Sequence, residues 1–123
     1  MVADTDVLVD YLRGAGRSVE RVAQELGHGL ATTAVSAFEL WAGSLGSPRR
    51  EKVVEDLLGA LRILPLDAGA AKHAASVRLA LEKKGCTIAM ADSLIAGICM
   101  AGDAILLTHN RAHFERVEGL RLG

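Results

Sequence analysis

The stretch I-A-M-A-D-S-L-I-A-G-I-C-M-A-G-D-A-I-L-L-T-H-N, residues 88–110, decides the fold. Residues 88–102 are apolar nearly all the way round a helix, the pattern of a helix buried on most faces. Residues 104–108 form a continuous apolar run, as expected of a parallel strand covered on both sides. A buried helix that feeds a doubly covered strand is half of an α/β layer structure. The one discordant note is Asp92, a carboxylate in the middle of the apolar helix.

The same alternation continues outward. Asp67 caps a long helix that runs to Lys84 and is stopped by Gly85. Residues 62–66 (R-I-L-P-L) read as a strand, and residues 49–61 as an amphipathic helix with Val53, Val54, Leu57, Leu58 and Leu61 on its apolar stripe. Gly46-Ser47-Pro48 is a loop. Thr33 caps a helix to Leu45 that follows a short strand at 30–32. Ser18 reads as the N-cap of a helix through Leu26, with Val19, Val22, Ala23 and Leu26 on one face. Residues 1–3 are a brief strand leading into a helix at 4–12. At the other end, a helical turn at 111–115 precedes a last edge strand at 120–122. Strands alternating with helices predict a three-layer α/β/α domain with a short central parallel sheet, residues 1–123 forming one domain. Any functional crevice then lies beyond the carboxyl ends of the strands.

Composition narrows the class. Of 123 residues, 50% are hydrophobic and only 3% aromatic, so the core is aliphatic. Lys plus Arg is 14 against 15 for Asp plus Glu, which excludes nucleic-acid binding by bulk positive charge but leaves room for a local basic rim. Two cysteines, Cys86 and Cys99, are too few for a disulfide framework and read as free thiols of a reducing cytoplasm. The first ten residues carry three aspartates and no apolar run reaches membrane-spanning length, so a soluble, cytoplasmic protein is expected.

Polar groups gather where the crevice is expected. Asp4 and Asp6 follow the first strand, Glu39 lies in the helix after Thr33, Asp92 in the apolar helix, and Asn110 just beyond the 104–108 strand. Each has an ordinary explanation: Asp4 and Asp6 as helix caps, Glu39 as a partner of the helix dipole, Asp92 as half of a buried ion pair with an arginine. Together they repel unless a cation sits among them. Oxygen-only ligands favour a hard divalent ion, Mg²⁺ or Mn²⁺, and such an ion suits phosphoryl chemistry.

Four segments carry a family resemblance: D-T-D-V-L-V-D-Y-L-R-G (4–14), S-A-F-E-L-W-A-G (36–43), A-D-S-L-I-A-G (91–97) and T-H-N-R-A-H-F (108–114). Their order and spacing resemble PIN-domain ribonucleases, and among them the VapC toxins of toxin–antitoxin pairs. The resemblance implies magnesium-dependent endonucleolytic cleavage of RNA by a metal-activated water, leaving a 5′-phosphate and a 3′-hydroxyl. By position it makes Asp4, Glu39, Asp92 and Asn110 the catalytic set, with Asp4 and Asp92 as metal ligands. Thr5 and Thr108 would orient the carboxylates from behind, and Asp6 beside them would restore one negative charge. Asn110 stands where many members carry Asp, and Met90 where some carry a further acid. The resemblance also implies a VapB-type antitoxin, an RNA substrate and a homodimer.

Arg13, Lys83 and Arg111, with Arg17 and Lys84, are the cations available to line an RNA path; each also reads as a solvated surface charge. His109 and His113 lack further zinc ligands at suitable spacing and read as solvated loop histidines, although His109 and Arg111 stand where phosphate contact is possible. Trp41 and the Val53–Leu58 stripe offer a dimer or antitoxin surface, with core packing preferred for the stripe. The D-x-D opening also resembles haloacid-dehalogenase-type phosphatases, but the lysine and acidic pair they need after the threonine-ended strand have no room before Gly123. A receiver domain would need an aspartate closing a central strand and a late lysine, and has neither. A PIN fold with weak metal affinity, serving only to bind RNA or antitoxin, is the alternative that Asn110 supports.

Overall fold

The computed structural model describes residues 1–123. Its sheet has five strands: β1 (Val2–Ala3), β2 (Ala31–Thr33), β3 (Arg62–Leu64), β4 (Ile105–Leu107) and β5 (Arg121–Leu122). Their order is β3-β2-β1-β4-β5, and every neighbouring pair is parallel. The helices are α1 (Thr5–Leu12), α2 (Gly16–Leu26), α3 (Ala34–Ser44), α4 (Pro48–Gly59), α5 (Ala68–Lys83), α6 (Met90–Ala101) and the single turn α7 (Arg111–Phe114). They divide between the two faces of the sheet, as the sequence pattern requires. One core joins Ala3 and Leu107 to residues of α1, α2, α3 and α4, including Leu8, Val22, Leu40 and Leu57. The other joins Val2, Ala31 and Leu106 to α5, α6 and α7 through Val77, Leu81, Ile95, Cys99 and Phe114. Successive strand residues thus feed opposite cores, the consequence of a side-chain period of two. No helix is long and apolar enough to cross a membrane.

Strand order fixes where polar groups meet. β1 and β4 are neighbours at the point where the order reverses, with Ala3 opposite Leu107. Whatever follows those two residues, Asp4 on one strand and Thr108 on the other, lies side by side at the carboxyl edge. The expected caps form: the Thr33 hydroxyl accepts the Ser36 amide at 3.0 Å and an Asp67 carboxylate oxygen accepts the Ala70 amide at 2.9 Å.

Several expectations are corrected. Ser18 does not cap α2: Ala15 holds that position, with no side-chain cap, while Ser18 is buried inside the helix. Ala23 faces solvent, and so does Val53, at 43% exposure; the other stripe residues of α4 and Leu61 are core. α6 begins at Met90 rather than at residue 88, so Asp92 lies in its first turn, where the helix dipole favours a negative charge.

Candidate active site

Asp4 ends β1 and caps α1. One carboxylate oxygen accepts the Thr5 amide at 2.7 Å and the other accepts the Thr108 hydroxyl at 2.8 Å. The side chain is buried, at 5% exposure, and burial is the main force that pushes its pKa up to about 6. The Thr108 and Thr5 hydrogen bonds oppose that rise, while the charges of Asp6 and Asp92 add to it. Asp6, in the first turn of α1, accepts the His109 amide at 3.2 Å. Thr108 itself accepts the Asn110 amide at 2.9 Å, which holds the loop beyond β4 against the strand end.

Glu39 arrives from α3. It is exposed, and its carboxylate accepts the Thr5 hydroxyl at 2.7 Å. The Thr5 hydroxyl also lies 2.9 Å from that of Ser36, which in turn lies 3.3 Å from that of Thr33. A line of hydroxyls therefore runs from the cap of α3 to the Glu39 carboxylate. Asp92 is half-buried, and burial again raises its pKa, opposed by neighbouring His113 and reinforced by the charges of Glu39 and Asp6. Asp4, Asp6, Glu39 and Asp92 thus share one electrostatic neighbourhood, and none of them makes an ion pair.

The donor set is all oxygen and carries surplus negative charge, which fits a hard divalent cation. It is not a closed cage, for no three His, Cys, Asp or Glu side chains stand at metal-ligand spacing. An open arrangement suits Mg²⁺, which binds through one or two carboxylates and retains water.

The sequence matches the PIN-domain family over residues 1–120. It is 31% identical over 122 residues to the tRNA(fMet)-specific endonuclease VapC of Shigella flexneri, covering 96% of this chain and 92% of that protein. The chain belongs to the PIN-domain family, in its VapC group. Ribonuclease VapC1 of Methanocaldococcus jannaschii is 29% identical over 99% of this chain and 85% of its own length. The DNA-bound VapBC structure from Salmonella typhimurium superposes with a TM-score of 0.90 at 25% identity, covering 99% of this chain and 95% of that one.

The residues singled out from sequence as PIN-like do not all play the same part in the geometry. Asp4, Glu39 and Asp92 converge, and Thr5 and Thr108 hold two of them. Asp6 joins the acidic group itself. The side-chain Nδ2 of Asn110 lies 2.8 Å from His113 Nδ1, so the fourth position is tied to a histidine. Neither His109 nor His113 is a merely solvated loop residue. His109 Nε2 lies 2.8 Å from the Ser18 hydroxyl and 3.1 Å from an Asp10 carboxylate oxygen. Of the basic residues, Arg13 and Lys83 are exposed at the ends of α1 and α5. Arg111 donates to the Gly123 carbonyl at 2.6 Å, so it anchors the chain end. Sequence reading passed over Ser36 and Asp10; a serine midway between Thr33 and Glu39, at the head of the quoted S-A-F-E segment, was the available signal.

Proposed function

We propose that this PIN domain is a divalent-metal-dependent endoribonuclease, the toxin of a toxin–antitoxin pair, and that it works as a homodimer. The observation that carries the reading is the convergence of four carboxylates from the start of α1, from α3 and from α6, none of them ion-paired to a lysine or arginine. The names of the VapC relatives support the ribonuclease class, and the VapBC complexes among similar structures support a VapB-type partner.

Asp4 and Asp92 would hold the cation, Mg²⁺ or Mn²⁺, and Glu39 and Asp6 stand beside them. When bound, such an ion lowers the pKa of a water and offsets charge developing on the phosphate. The chain's own residues prepare that site. Thr108 and the Thr5 amide fix both oxygens of Asp4, so the carboxylate does not rotate away. The Thr5 hydroxyl aims Glu39 and leaves its second oxygen free to accept a proton from water. The exposed position of Glu39 gives RNA access, while buried Asp4 forms the floor. The antitoxin would block the pocket, with an arginine supplying the missing positive charge.

The test is digestion of total RNA by the purified chain with Mg²⁺ or EDTA, beside Asp92→Asn, with fragment ends sequenced. Discrete cuts bearing 5′-phosphates, lost in EDTA and in the variant, are expected. Cutting that persists in EDTA would sink the reading. The antitoxin complex is expected to be inactive; full activity in the complex would remove the blocking role. The tie between Asn110 and His113 favours one alternative, a domain that binds RNA or antitoxin without cutting. A folded chain that neither cuts any cellular RNA nor binds Mg²⁺ would support it.

A further inference from the structure

The carboxylates explain cleavage but repel the substrate, since RNA brings its own negative charge. Something nearby must hold the strand. A cavity of about 380 Å³ lies between α2 and β4, and His109 forms part of its wall. His109 also reaches the acidic site, through the amide that donates to Asp6 at 3.2 Å. One residue therefore borders both. The cavity on the other face, walled by His73, Lys84 and Arg116, shares no residue with the carboxylates.

The lining has the chemistry of a nucleotide. Val7 and Leu107 give it an apolar floor. Gln24 offers an amide with donors and an acceptor, the groups that read a base edge. The His109 ring supplies a flat surface of the kind on which single-stranded bases stack. One nitrogen of that ring, Nε2, meets both the buried Ser18 hydroxyl and an Asp10 carboxylate oxygen, which holds the ring in place. Arg17 and Arg21 bring positive charge against Glu20 in the lining, with Asp10 beside it held to His109. Arg21 is committed to Glu25 at 3.3 Å and to the Met1 sulfur, whereas Arg17 makes no ion pair and is exposed. The volume lies in the range of small-ligand pockets.

We infer that this pocket is the subsite for a nucleotide of the RNA strand adjacent to the phosphate at the carboxylates. Its base lies between His109 and Gln24 over the apolar floor, and its phosphate meets Arg17. The assignment rests on the ribonuclease reading and adds a residue-level account of how the strand is held.

The test separates the two ideas. Binding of fluorescein-labelled oligouridylate to the full chain is measured by anisotropy in EDTA, so that no cleavage intervenes. The proteins are wild type, the double variant Arg17→Ala/Gln24→Ala, and Arg78→Ala on the far side as control, with thermal unfolding to confirm folding. The double variant should bind about tenfold more weakly, the scale of losing one stacked base and one phosphate contact. In Mg²⁺ its KM for RNA should rise by a similar factor while kcat holds, and Arg78→Ala should match wild type. Unchanged binding and KM with intact cleavage would overturn the pocket and spare the ribonuclease. Weaker binding by the double variant, with no cleavage by any protein, would overturn the ribonuclease and keep the pocket. Loss of antitoxin affinity alone would assign the pocket to a protein partner and overturn the inference.

Discussion

Asp4 shows most directly what the site costs the fold. Its pKa stands at about 6, above the ordinary 3.8, because burial disfavours the charged form. Below the lower value both folded and unfolded chains hold the proton. Between about pH 4 and pH 6 only the folded chain does, so its stability falls as pH rises through that window. Above it the carboxylate is a standing cost of the order of 3 kcal/mol, about two pKa units' worth. Asp4→Asn should therefore stabilise the metal-free chain at pH 7, by about 1–3 kcal/mol in urea denaturation, while cleavage is lost. A destabilised variant would contradict the assignment of Asp4 as a strained, uncompensated charge. Thr108→Val removes the 2.8 Å hydrogen bond that opposes the rise. It should move the Asp4 titration to higher pH, read by carboxyl NMR, and lower cleavage near neutrality. An unchanged titration would mean that the hydroxyl does not orient this carboxylate.

At the scale of elements, α5 and α6 make the most extensive contact, and Gly97 permits it. A β-carbon there would lie 2.6 Å from the Ala70 carbonyl oxygen and from the Ala74 backbone nitrogen and side chain. Gly97→Ala should destabilise by about 1–3 kcal/mol, because backbone cannot yield as a flexible side chain does. Since α6 carries Asp92, the shift should also lower activity. Gly43→Ala in α3 meets nothing within 4 Å and should stabilise by roughly 0.5–1 kcal/mol. Urea midpoints of the two variants should move in opposite directions, and a shared direction would refute the packing argument. The same contact shows what sequence could convey. The apolar run of α6 revealed a buried helix, but not that a glycine in it touches another helix. Ser18 was misread for a related reason. A serine near a helix start usually serves its own helix, and here its hydroxyl serves His109, a residue far along the chain. Of the strands of two or three residues, the one at 105–107 was legible from its own apolar run, while the two-residue β1 and β5 show no period.

At the scale of the molecule, the legible part of the candidate site was its carboxylates and the illegible part was what surrounds them. Asp92 announced itself as a charge in an apolar segment, and Asp4, Glu39 and Asp92 meet because parallel strand order brings distant chain ends to one edge. The His109–Ser18–Asp10 contact and the Asn110–His113 tie depend on how loops cross that edge, which no local pattern encodes. Convergence of like charge also makes the whole fold responsive to cations. An ion that binds the folded carboxylates and not the unfolded chain stabilises by mass action, about 2.7 kcal/mol at a hundredfold excess over Kd. Saturating Mg²⁺ should therefore raise the unfolding temperature by several degrees, and the gain should grow as pH rises past 6, where the ion no longer competes with the Asp4 proton. Equal ionic strength from NaCl should give much less, since screening does not replace a bound divalent charge. Asp92→Asn should lose most of the Mg²⁺ effect and keep the NaCl effect. Calorimetry across this set of salts, pH values and variants checks all of these together. A Mg²⁺ shift that is the same in Asp92→Asn, or that NaCl reproduces, would show that the carboxylates merely relax with screening and hold no ion.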